Sequence, residues 1–435
     1  MKAYHPMARV IYDVKNDSEL EDRAVSAFLD DYCVASQNFS PIGSILQDFK
    51  SIIVSADPAS DLAKATHLTA LSSIGKKSSS SLLLDKAREQ YAEFLESFQK
   101  RLAHGAINQT PELLLVIVLL GIFELISATE EHGSSHVTHS RGVYAILSTT
   151  DAPLFTPSGA GCFRKAFQSV LQAEESLSQP LTHPLQSLDI ACFKSFTVLR
   201  TARSLLSAES VIVDELQIVL REAHDLNNEL ADWAKTHLCK WPYRSIGKLD
   251  PPAANLIKDI IWPFGRIDVY ADIYVSTVWN MYRQVRLRVI DTIINCASKL
   301  GMKSSLHSLI STAHDLVDDI AASLCFHLCA DAPGLVRNAE TGAPLCLAPG
   351  KSLGGLLLIQ PIFIVSCLSL TPRKQRLRMN EALSWIADQM GIGQARLLLK
   401  APKDDPLEVF QGFMLIWVGM LYIRDPSNQS EAANL

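Results

Sequence analysis

The apolar positions of this chain recur at spacings of three and four for most of its length, and the elements they predict are helices. Over residues 82–105, Leu84, Ala87, Tyr91, Phe94 or Leu95, Phe98 and Leu102 form one stripe, closed by Gly105. Further helices are predicted over 18–39, with Ser18 as a cap, and over 59–75, where the run at 76–81 reads as a loop. Another covers 108–131, where Thr110 caps and Pro111 takes the first helical position. Shorter patterns follow at 134–150, 184–207 and 214–235, and residues 241–252, rich in Pro and Gly, read as a loop. A long helix at 267–301 carries Val278, Tyr282, Val285, Val289 and Ile293 as its stripe, and the next spans 305–329. Residues 373–400 hold two helices broken at Gly391 and Gly393. Alternation never persists long enough for a significant sheet. The expectation is an all-α fold of roughly ten or more helices in a single domain over 1–435.

Three stretches are apolar throughout: 113–123, 353–370 and 412–423. The first is cut short by Glu124 and the second is interrupted at Gln360-Pro361. The third is too short for the roughly 20 residues a spanning helix needs. All three read as buried core helices, and no membrane association is expected. The N-terminal residues lack the apolar segment of a signal peptide. Hydrophobic residues make up 48% of the chain, enough for a sizeable core, and the net charge is −6. That balance argues against a nucleic-acid surface, which calls for clustered basic residues. The nine cysteines are scattered, mostly in apolar stretches, and read as buried reduced thiols in a reducing compartment.

Four clusters carry candidate chemistry. His132, His136 and His139 have a spacing that would align three rings on a helix, but Gly133-Ser134-Ser135 favours a turn with a serine cap. Asp315, Asp318 and Asp319 share one helical face, as in all-α enzymes that hold Mg²⁺ against a diphosphate. No DDxxD order and no second acidic motif accompany them, so a solvated acidic face is the simpler reading. Cys325 and Cys329 share a face, yet zinc needs about four ligands. The run RKQRLR (373–378) reads as the exposed start of a surface helix or a patch for an acidic partner, phosphate or import receptor. Glycine-rich phosphate loops and a GxSxG elbow are absent, so no catalytic residue, cofactor or metal is assigned.

Several segments, in order, resemble the regulatory (middle homology) domain of fungal-specific transcription factors of the zinc binuclear cluster family. LLLDKAREQYAEFLESFQKRL resembles an early helix of that domain. LLLVIVLLGIFELIS resembles its apolar helix, with Phe123 and Glu124 at the closing pair. HSRGVYAIL places His139 and Gly142 at matching positions, with Val143 where the pattern has alanine. VWNMYRQVRLRVIDTII matches the "WN.yRaaRi" helix through Trp279, Asn280, Arg283 and Arg286. LSWIADQMGIGQARLLL matches a late element through Gly391 and Gln394. The resemblance covers about 18–423, and it makes His139 a family feature of a helix start and not a metal ligand.

The chain departs from that family in holding no C-x2-C-x6-C zinc cluster. Direct DNA binding of the family's usual kind is therefore not expected. The resemblance implies a nuclear, non-catalytic transcriptional regulator or co-regulator acting through protein contacts, with transcription-related proteins or another copy of itself as partner. It further implies control of a secondary-metabolite pathway. A small-molecule-sensing helical module, with an effector pocket among the helices, is the first alternative. A Mg²⁺-dependent isoprenoid-type enzyme resting on the three aspartates is the second.

Overall fold

The computed structural model describes residues 17–34, 42–44, 49–103, 111–130, 184–208, 212–250, 260–302, 306–345, 347–401 and 421–423. Their order is α1 (Asp17–Tyr32), β1 (Ile42–Ser44), α2 (Phe49–Ser55), α3 (Asp61–Ser78), α4 (Ser81–Ala103), α5 (Pro111–Ser127), α6 (Pro184–Ser207) and α7 (Val213–His237). Then come β2 (Tyr243–Leu249), β3 (Gly265–Tyr270), α8 (Ile273–Lys299), α9 (His307–Leu328), α10 (Ala332–Thr341), α11 (Ser352–Cys367), α12 (Arg373–Gln389), α13 (Gly393–Lys400) and β4 (Leu421–Ile423). The fold is all-α, with two small two-stranded pairings among the described residues.

Two helices are buried on nearly every face, and the others wrap them. Helix α11 buries every residue from Ser352 to Ser366, Pro361 included, as its continuous apolar run requires. Helix α8 packs against α6, α7, α9 and α11 and buries the whole of its expected stripe. In the N-terminal layer α3 is clamped between α1, α4 and α5. Its small residues Ala65, Ala70, Ser72 and Ser73 allow that close packing, and the hydroxyls of Thr66 and Thr69 donate back to Leu62 O and Ala65 O at 2.7 Å. Asp31 ties the two layers together. It ion-pairs with Lys77 of α3 and accepts from the first amide of α11, Ser352 N, at 2.9 Å. A contiguous apolar core runs from Ala24 to Leu398.

The structure corrects the sequence reading in four places. The expected loop at 76–81 is mostly helix, since α3 runs to Ser78 and turns at Ser79 in the left-handed region (φ 54°). The expected loop at 241–252 and the first turn of the expected helix at 267 form an antiparallel hairpin, β2–β3, with a bulge between Ser245 and Gly247. The cause of that misreading is visible in the spacing. Ile267, Tyr270, Tyr274 and Val278 stand three, four and four apart, so a short strand continued into a helix mimics one helical stripe. The helix begins only at Asp272, whose carboxylate accepts from Val275 N at 2.9 Å as its N-cap. Lastly, the apolar stretch expected as a helix at 412–423 ends in strand β4, paired antiparallel with β1 (Ile42 opposite Ile423). Its earlier residues lie outside the described set, as do His132, His136, His139 and Gly142. No helix among the described residues is long and apolar enough to cross a membrane.

The crossing of α9 and α11 is a backbone contact. A Cβ built on Gly354 would lie 2.1 Å from His327 O. Gly354→Ala is therefore expected to destabilise the protein by about 3 kcal/mol or more through overpacking. Urea denaturation checks this, the midpoint falling while the slope holds.

Candidate functional site

Four of the resemblance residues come together where the first half of α8 meets α7, α9 and the hairpin. Trp279, Tyr282, Arg283 and Arg286 share one face of α8 by their spacing, and Asn280 turns toward α9. The Trp279 indole N–H donates to Trp241 O at 2.9 Å. Its ring meets Trp233 edge-on at 5.5 Å and Tyr243 at 5.4 Å, while Trp233 stacks on Tyr282 at 5.4 Å. Asn280 donates to Ser323 Oγ at 2.9 Å. Arg286 donates to Asn227 Oδ1 at 3.1 Å and to the Tyr282 hydroxyl at 2.7 Å.

Arg283 is the centre of this cluster and is only 1% exposed. Its Nη1 donates to the Tyr270 hydroxyl at 2.7 Å and to Asn280 Oδ1 at 3.0 Å. The guanidinium carbon lies 4.9 Å from the Tyr243 ring centre, 5.7 Å from Tyr270 and 5.9 Å from Trp279. Asp319 of α9 stands 3.7 Å from its Nε. Burial alone pulls the guanidinium toward its neutral form, but Tyr270, Asp319 and Tyr243 outweigh it and hold Arg283 charged. Burial also pushes the Tyr270 hydroxyl up to about 12, against the pull of Arg283, so it stays protonated.

Asp319 is shared. It also pairs with Arg266 of β3, whose fork grips Asp268 at 3.1 and 3.0 Å. The charges alternate along Asp268, Arg266, Asp319 and Arg283, joining the hairpin to α9 and α8. Asp319 is thus not part of the solvated acidic face expected for the three aspartates, and it does not fit the Mg²⁺ alternative either. Asp319 faces two guanidinium groups where a divalent cation would have to sit, and Asp318 accepts from Gln375. Among the described residues no group of three or more His, Cys, Asp or Glu is placed to hold a metal ion.

The remaining resemblance residues that the structure describes lie in a second place, on α5 and around the start of α13. Phe123 stacks on Tyr91 at 4.2 Å, and Glu124 accepts from the Tyr91 hydroxyl at 2.6 Å, joining α5 to α4. Burial and the Glu124 carboxylate raise Tyr91 and keep it protonated. Gly391 makes the turn between α12 and α13 with φ at 74°. Gln394 is buried in the first turn of α13, a helix that packs on α5.

Other candidates fall into packing roles. Cys325 and Cys329 are buried free thiols, and the hydrogen bond between them, with burial, keeps Cys329 protonated. The basic run at 373–378 is exposed at Arg373 and Lys374, but Arg378 is buried. It donates to Trp262 O at 2.8 Å and to Ala321 O at 3.2 Å, and burial lowers its pKa.

Sequence reasoning missed His327, Arg266, Asp268 and the tyrosines of the hairpin. The Arg-Ile-Asp spacing of a strand, with Arg266 and Asp268 on one side, was the available signal. His327 is fully enclosed. Its Nδ1 lies 3.2 Å from Gly354 O and must carry the proton, while Nε2 accepts from Ser276 Oγ at 2.8 Å.

Over 414 residues the chain is 32% identical to transcription factor dbaG of Emericella nidulans. The match covers 93% of this chain and 97% of dbaG. The chain belongs to the family of transcription factor dbaG. No family model matches the sequence, and no solved structure matches it. In this dbaG-family chain the WN..R..R residues knit α7, α8, α9 and the hairpin together.

Two outcomes are expected. Arg283→Ala should cost about 3–5 kcal/mol in chemical denaturation, because a buried charge network loses its centre. Arg283→Lys should recover less than half, since an ammonium lacks the planar group that lies against the Tyr243, Tyr270 and Trp279 rings while Nη1 donates to Tyr270 and Asn280. Burial lowers His327 from 6.5 to about 4. Between those values the folded state binds fewer protons than the unfolded chain. Its contribution is therefore complete above pH 6.5 and falls by about 3 kcal/mol as pH drops to 4. Asp291, raised by burial to about 6, works in the opposite sense. The readout is thus the difference in stability between wild type and His327→Gln across pH 4 to 7, which should narrow as pH falls.

Proposed function

We propose that the chain is a transcriptional regulator or co-regulator that works in the nucleus through protein contacts, without catalysis of its own. Its output is control of a secondary-metabolite biosynthetic pathway. One observation carries this reading: the match to dbaG extends over nearly the whole of both chains. Its specific form, a domain of the fungal zinc-cluster regulatory type, is supported by the order of the motifs around Phe123-Glu124, Trp279-Asn280 and Gly391–Gln394. The net charge of −6 fits a protein that reaches promoters through a DNA-binding partner.

The packing supports the same reading. The residues of the WN..R..R motif hold helices and hairpin in register, as a protein-binding scaffold requires. On α9, Asp319 is tied to two arginines and Asp318 to a glutamine, an arrangement that joins elements of the fold.

Deletion of the gene, followed by transcript profiling under conditions that induce secondary metabolism, tests the proposal. Coordinated loss of transcripts from a small set of biosynthetic genes is expected, with restoration by a fluorescently tagged copy that concentrates in the nucleus. Pull-down of that copy should recover a DNA-binding protein. An unchanged transcript profile, or a tagged copy excluded from the nucleus, would overturn it.

A further inference from the structure

Two helical faces of opposite charge lie on different parts of the fold, each built around an exposed apolar residue. On α7, Ile218 is 50% exposed. Asp214 and Glu215 stand four and three residues before it, and Glu222 and Asp225 four and seven after it, all exposed on the same face. None of the four makes an ion pair among the described residues, and Arg221 is the cation on that face. On α12, Leu377 is 49% exposed. Arg373 and Lys374 stand four and three residues before it, exposed and likewise without ion pairs among the described residues. Glu381, one turn further on, accepts from Ile261 N and Trp262 N, which brings Ile261, 38% exposed, to the next turn of that helix.

The basic face runs against local stability. Arg373 and Lys374 occupy the first turn of α12, which has no acidic residue and no side-chain cap. Cations there repel the positive end of the helix dipole. The acids of α7 sit in and after its first turn, where the dipole favours them. Propensity thus accounts for Asp214 and Glu215 but not for Arg373 and Lys374, which pair with no carboxylate among the described residues, Asp318 of α9 accepting from Gln375 beside them.

We propose that two copies of this chain associate through reciprocal contacts, the acidic face of α7 in each copy meeting the basic face of α12 in the other. Ile218 packs near Leu377 and Ile261, and Asp214, Glu215 and Glu222 meet Arg373 and Lys374. A two-fold arrangement uses both contacts at once and closes on itself. This goes beyond the regulatory reading above and does not depend on it.

Sedimentation velocity of the full chain tests the proposal. A dimer is expected at low salt, its dissociation constant rising about tenfold or more between about 50 and about 500 mM salt as the charges are screened. Arg373→Glu with Lys374→Glu should give monomers, as should Asp214→Lys with Glu215→Lys. Mixing the two variants should restore a dimer, because each altered face then meets its complement; this also shows that both variants are folded. Leu377→Ser should weaken association without changing the far-UV spectrum. A wild-type monomer at every concentration, association that the reversals leave intact, or a mixture that stays monomeric overturns the proposal.

Discussion

A charged guanidinium without water must be met on every side by protein, and that demand organises the centre of this fold. Arg283 reaches residues on β2, β3, α8 and α9: Tyr243, Tyr270, Asn280 and Asp319. Each can serve it only if its element is in place. The aromatic faces attract the cation without adding a second full charge. Asp319 supplies a carboxylate, which it shares with Arg266. Apolar packing alone would tolerate small shifts of the hairpin over α8. Two hydrogen bonds from one guanidinium nitrogen and a carboxylate shared between two arginines do not, so the polar centre sets the register that the surrounding apolar core then fills.

Much of the helical content was legible because amphipathic periodicity is a local property. The stripe of Leu84 to Leu102 and the stripe of Val278 to Ile293 each report a buried face without reference to the rest of the chain. The hairpin was not legible, for the same reason in reverse. In a strand of six residues the alternation Arg266-Ile267-Asp268-Val269 is too short to stand against a helical spacing, and Asp268 is enclosed by its arginine as fully as Ile267 is by the core. Spacing at threes and fours then ran through Ile267 and Tyr270 into α8 unopposed. Asp272, a capping residue at the true start, was the one local mark of the boundary.

The candidate site was legible as a set and opaque as a mechanism. Trp279, Asn280, Arg283 and Arg286 stood out by resemblance and do lie together. Their partners come from about 50 residues before Trp279 to about 40 after Arg283, a range that no local pattern spans. Asp319 illustrates the limit: as one of three acidic residues on a helix it suggested a cation, and the cation it meets is arginine. Arg378 makes the same point, since its run of basic neighbours suggested a wholly exposed segment while its own side chain bonds two carbonyls inside.

The pairing of β1 with β4 joins residues close to opposite ends of the described chain. Strand β1 is synthesised well before its partner. An unpaired edge strand is a template for whatever extended segment it meets first. Until β4 has been made, Ile42–Ser44 therefore lacks the partner it has in the fold, and this pairing closes only after every segment between the two strands has been synthesised.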